Sequence, residues 1–135
     1  MKKLTLIALA GVAGAGIAAG PAPMSAAAED ELARELAGRS PDRPVSCVSQ
    51  RDLRGNRTIG DELILFQGRT SGVVYLNRPE AGCPGLNLGR ALVTRTTSSQ
   101  LCAGDIATVF EPVSGAEFGG CVLGDFTPYR RDQRR

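Results

Sequence analysis

The side chains best equipped for chemistry in this sequence are four cysteines, Cys47, Cys83, Cys102 and Cys121. A thiolate is both a nucleophile and a soft metal ligand, and these two uses compete with a third, in which the thiols are oxidised in pairs. The spacing argues for the third. Structural zinc sites bring cysteines in close pairs, whereas these lie 36, 19 and 19 residues apart with no histidine to complete a set. An even number of well-separated cysteines in an exported chain reads as two disulfides. Three connectivities are open, and the expected one joins Cys47 with Cys121 and Cys83 with Cys102. That outer loop restricts the unfolded chain more than the inner one by only about 1 kcal/mol, so chain entropy does not choose the pairing.

Other catalytic chemistry is thinly provided. The chain has no histidine and no tryptophan, and its lysines are confined to Lys2 and Lys3. A Ser-His-Asp or Cys-His set, a His-ligated metal and a lysine Schiff base are therefore excluded, and no catalytic or metal-ligating residue is assigned. The glycine-rich run from Gly11 to Gly20 lacks the spacing of a dinucleotide loop, so no cofactor is expected. Carboxylates remain as acid and base groups: Asp52, Asp61, Glu62, Glu80, Asp105, Glu111, Glu117 and Asp125. Asp61, Asp105 and Asp125 each sit close to a glycine beside an expected strand, where aspartate shapes turns through its side-chain oxygens. Two acidic residues near the Asp105 and Asp125 turns would be the basis of a carboxylate-dependent hydrolase, the enzymatic alternative.

The N-terminus has the three parts of a secretory signal. Lys2 and Lys3 form a positive start, Leu4 to Ala19 is uncharged, and small residues with Pro21 and Pro23 follow. The uncharged stretch is short and rich in Ala and Gly, unlike a membrane-spanning helix of ~20 apolar residues. Ala26-Ala27-Ala28 places small residues where a signal peptidase reads them, so residues 1–28 are expected to be removed, with cleavage after Ala22 as the alternative. The first cysteine, Cys47, is too far downstream to carry a lipid. A soluble periplasmic or secreted product with no membrane span is expected.

The elements that must carry the cysteines follow from the pattern beyond residue 28. Glu29 to Ala37 reads as a short helix with Leu32 and Leu36 one turn apart, stopped by Gly38 and the breakers Ser40 to Pro44, and residues 29–44 are expected to form a frayed arm and linker. From Val45 onward, short β-branched and apolar runs alternate with Gly, Pro, Asn and Asp. Glu62 to Gln67 and Val73 to Asn77 form a hairpin joined by Gly68 to Gly72, and their continuous apolarity predicts strands covered on both faces. Val45 to Ser49, Ala91 to Thr97, Ile106 to Phe110 and Cys121 to Phe126 complete about six strands. The expected fold is all-β: a small antiparallel sheet or barrel over residues 45–129, stapled by two disulfides and preceded by the signal and a short helix.

Removal of Lys2 and Lys3 leaves 14 arginines against 14 acidic residues, a balance that argues against a specific nucleic-acid binder. The balance is uneven, because residues 130–135 carry a net +3. They are expected to form a basic, disordered tail, with attraction to an anionic surface as its functional reading.

With these motifs in place, the chain from about Cys47 to Pro128 resembles a family of small secreted proteobacterial proteins classed only as a domain of unknown function. The matching features are Leu63-Ile64-Leu65-Phe66, Val74-Tyr75-Leu76-Asn77, Cys83-Pro84-Gly85-Leu86, Leu101-Cys102-Ala103-Gly104-Asp105 and Cys121-Val122-Leu123-Gly124. The resemblance implies no activity. Ser71-Gly72-Val73-Val74-Tyr75 also resembles the Ser-Gly-x-x-Tyr element that periplasmic inhibitors of C-type lysozyme present to the enzyme, which makes Ser71, Gly72 and Tyr75 candidate binding residues. The companion Tyr-x-x-x-Thr-Lys-Gly element of those inhibitors is absent. The leading functional expectation is a non-enzymatic binding or structural module of the cell envelope, its partner an unidentified protein or envelope ligand.

Overall fold

In the computed structural model, residues 23–70, 72–86 and 88–133 are described. The expected signal up to residue 22 and the candidate Ser71 lie outside the described residues.

The fold is organised around one strand. In β4 (Leu63–Gly68), Leu63, Ile64, Leu65 and Phe66 are all buried. Successive strand side chains point to opposite faces, so such a run requires cover on both sides. Leu63 and Leu65 join one apolar cluster, and Ile64 and Phe66 join another. β4 lies in a five-stranded antiparallel sheet in the order β1 (Arg39–Pro41), β10 (Phe126–Arg131), β5 (Val73–Asn77), β4, β3 (Leu53–Ile59).

One face of this sheet is covered by α1 (Ala26–Leu36). Ala28, Leu32 and Leu36 recur every fourth residue and form its apolar stripe. They pack with Met24 on Ile59, Leu63, Leu65, Val74 and Leu76. The helix is capped at its start, where the Ser25 Oγ accepts the Ala28 N–H at 3.2 Å.

The other face carries the main core, closed by two smaller antiparallel sheets. One pairs β2 (Cys47–Ser49) with β7 (Gln100–Cys102); the other has the order β6 (Ala91–Thr94), β8 (Ile106–Phe110), β9 (Glu117–Val122). Val48, Leu101, Ala107, Val109, Cys121 and Leu123 meet Ile64, Phe66 and Phe126 across the gap. The rings of Phe66 and Phe126 are tilted at 59° with centroids 5.5 Å apart, in the range that favours edge-to-face contact. The expected all-β class and the double cover of the central hairpin are thus present, as a helix–sheet–sheet stack of open sheets with ten strands among the described residues.

Several boundaries differ from expectation, each for a physical reason. The helix begins at Ala26, before the expected start at Glu29 and across the expected cut, and it docks on the sheet instead of fraying. β3 has no apolar run because it is an edge strand: Arg54, Gly55, Asn56 and Arg57 face solvent, and a bulge between Leu53 and Gly55 disrupts the ladder there. β1 lies in the segment expected to be linker, with Pro41 on an exposed sheet edge where a missing donor is tolerated. Cys121 to Phe126 is not one strand; it spans the end of β9, a turn at Leu123 to Asp125 and the first residue of β10. β10 continues to Arg131, so Arg130 and Arg131 belong to the sheet, paired with Ser40 and Arg39, and not to a disordered tail. Pro128 is accommodated inside β10 because its ring nitrogen lies on the side where β1 ends. On that side its carbonyl accepts the Asp42 N–H at 2.8 Å.

The expected disulfide pairing is overturned. Cys47 is bonded to Cys102 and Cys83 to Cys121, an interleaved arrangement in place of a nested one. Strand register decides this. Cys47 and Cys102 stand directly opposite each other in the β2–β7 pair, and Cys83, in the loop after β5, meets Cys121 of β9 inside the main core. The second bridge is nearly inaccessible, with Cys83 at 1% and Cys121 at 5% exposure.

Candidate functional site

The Asp105 Oδ2 accepts the Cys102 N–H at 2.8 Å, the Asp105 N–H returns to the Cys102 carbonyl at 3.1 Å, and Gly104 between them has φ +91°. This is a turn held by its aspartate. Asp125 is exposed in the β9–β10 turn. The two turns are adjacent, since the Gly104 N–H reaches the Leu123 carbonyl at 2.8 Å and the Leu123 N–H reaches that of Asp105 at 2.9 Å. Neither aspartate lines any of three clefts on the described surface. Asp61 uses its carbonyl to hold the Cys83 N–H at 2.6 Å, which seats the disulfide loop on the turn before β4.

The Cys83-Pro84-Gly85-Leu86 element is a turn of the same structural kind. The Leu86 N–H returns to the Cys83 carbonyl at 3.2 Å, proline occupies the second position and Gly85 the third with φ +80°. That combination makes a type II turn, and it drives Leu86 into the core.

The hairpin candidates separate. The Gly72 carbonyl accepts the Arg131 N–H at 2.8 Å and the Arg39 Nη1 at 3.1 Å, so it is committed to the neighbouring strands. Tyr75 is half-buried and packs on the main core. Gly72 is thus tied to β1 and β10 through its carbonyl, and Tyr75 to the main core.

A different group is assembled where the helix leaves the sheet. Arg34 in the last turn of α1, Gly38 with φ +68°, Arg39 of β1, and Arg131 and Asp132 at the end of β10 line an open cleft of about 580 Å³, together with Glu35. Arg39 and Arg131 are direct cross-strand partners on one face. The acids are engaged elsewhere: Glu35 pairs with Arg57 of β3, and Asp132 accepts the Ser40 hydroxyl at 2.6 Å. Arg34 and Arg131 have no carboxylate within ion-pair distance among the described residues. Beside the cleft, Arg130 pairs with Asp42 at 3.4 Å. The Asp42 carboxyl is held below its ordinary value, first by the Arg43 backbone N–H at 2.8 Å and then by the Arg130 guanidinium.

No family model, curated protein or solved structure matches this chain.

The chemistry on offer is consequently that of the chain's own residues. Among the described residues no group of three or more Cys, Asp or Glu side chains is placed to hold a metal ion. A smaller cleft of about 240 Å³ opens between the sheets over Phe66 and Leu101, with Gln50 and Asn56 at its rim. The arginine cleft missed detection in the sequence because its members are scattered, at 34, 39 and 131. The +3 count at the C-terminus was the only signal pointing toward it.

Proposed function

We propose that the chain is an exported, non-enzymatic binding module of the bacterial cell envelope, in which a disulfide-stapled β scaffold presents an edge and its loops to an envelope ligand. The observation that carries this reading is the pair of bridges joining all four cysteines, one of them inside the main core. Structural disulfides persist in oxidising compartments and are rare where glutathione keeps thiols reduced. The signal-like N-terminus supports the same compartment. Binding is favoured over catalysis because Asp105 is consumed by its turn and neither Asp105 nor Asp125 lines one of the three described clefts.

Cell fractionation of the full chain expressed in a Gram-negative host tests the reading. Recovery of a shortened, thiol-free protein in the periplasmic fraction is expected. Recovery of the full-length, reduced protein in the cytoplasm would remove the reading.

A further inference from the structure

We propose that the cleft formed by Arg34, Arg39 and Arg131 is a binding site for a phosphate-class dianion, a phosphomonoester either free in solution or carried on a lipid headgroup. The assignment deepens the binding-module reading and rests on it.

Like charges on directly opposed residues of adjacent strands are unfavourable, and the register pairs Arg39 with Arg131 in that relation. A third guanidinium, Arg34, is delivered to the same cleft by the last turn of α1. The two acids of the lining do not cancel the three: Glu35 is paired outward with Arg57, and Asp132, which accepts the Ser40 hydroxyl, offsets one charge only. Counting Arg57 with its partner, the group retains two uncompensated positive charges, the complement of a phosphomonoester near neutral pH. Planar guanidinium forks match phosphate oxygens through paired N–H donors, which a single ammonium cannot do. Arg39 is also held in place, since its Nη1 donates to the Gly72 carbonyl, so part of the site is ordered before any ligand arrives. The cleft is open to solvent and large enough for a headgroup as well as a free ion. All three arginines lie beyond both candidate cleavage positions, so processing removes none of them.

The test is calorimetric titration of the oxidised protein at low salt with inorganic phosphate, and co-sedimentation with phosphatidylcholine vesicles containing either phosphatidic acid or phosphatidylglycerol. Arg39→Gln and Arg131→Gln are expected to weaken phosphate binding by at least ~10-fold, while Arg95→Gln, whose Glu117 partner lies on a different sheet, leaves it unchanged. Arg131→Gln relieves the like-charge opposition, so its thermal midpoint should equal or exceed that of the parent, which separates lost binding from lost folding. Binding to phosphatidic acid vesicles without binding to free phosphate, still abolished by the two substitutions, supports the site with lipid as its source. Equal retention on phosphatidic acid and phosphatidylglycerol, phosphate binding indifferent to the substitutions, or no binding in any arm would overturn the assignment. Failure here leaves the exported scaffold standing, whereas a reduced cytoplasmic protein removes the reading on which the site rests.

Discussion

Asn77 has no accessible surface, and its amide holds the β9–β10 turn from three sides. Its Nδ2 donates to the carbonyls of Gly124 at 2.7 Å and Asp125 at 3.4 Å, and its Oδ1 accepts the Gly124 N–H at 3.1 Å. Asn77→Ala leaves a buried donor and an acceptor unmatched, and a loss of about 3 kcal/mol in urea unfolding is expected. Gly124→Ala should destabilise through the same turn, because an added Cβ would collide with the Arg78 carbonyl oxygen. Asp42 supplies a pH signature. Its folded pKa is depressed, so its contribution is present above the ordinary carboxylate value and is lost as pH falls through the lower folded value. An NMR titration should place its midpoint below about 3.8, and Arg130→Gln should move that midpoint upward. Residue-level legibility was divided along a clear line. Asp105 acts locally and was readable as a turn residue. Asn77 read only as a strand end, because its partners lie 47 and 48 residues away.

The helix is the element whose integrity depends on processing. Cleavage after Ala28 removes Met24, the Ser25 cap and the buried Ala28, leaving Leu32 and Leu36 on the sheet. Cleavage after Ala22 keeps all of them. Ser25→Ala should therefore cost about 1 kcal/mol in a protein that begins at Pro23 and is not defined for one that begins at Glu29, so N-terminal sequencing and denaturation together decide which form is stable. Leu32→Ala should destabilise either form by about 1–2 kcal/mol, since the side chain is only partly buried. Among the strands, those with apolar runs were legible: β4 and β5 were read with their hairpin and their double cover. β1, β3 and β7 were not, and β9 and β10 were merged into one expected strand, Cys121 to Phe126, that overlaps only the end of the first and the start of the second. β1 and β3 are edge strands with polar or proline-bearing sequences, and β7 is three residues long, so none of these three carries enough periodicity to be recognised alone.

At the scale of the whole molecule, the two bridges interlock the layers. They close segments separated by 55 and 38 residues, each long enough to restrict the unfolded chain by about 4 kcal/mol on the chain-entropy estimate. The Cys83→Ala/Cys121→Ala variant should lose more stability than Cys47→Ala/Cys102→Ala, because it also empties two core positions, and thermal melts of the two variants would rank them. Their number and their role as staples were evident from composition, but the pairing was not, because it is fixed by which strands become neighbours. The arginine cleft was hidden for the same reason: residues 34, 39 and 131 meet only after β10 has paired with β1. The most direct measurement is a non-reducing peptide map of the protein recovered from the periplasmic fraction. Cross-linked peptides containing Cys47 with Cys102 and Cys83 with Cys121, and no free thiol, are predicted. Free cysteines would contradict the stapled scaffold on which the proposed function stands, and a nested pairing of Cys47 with Cys121 would contradict the strand neighbours of the fold.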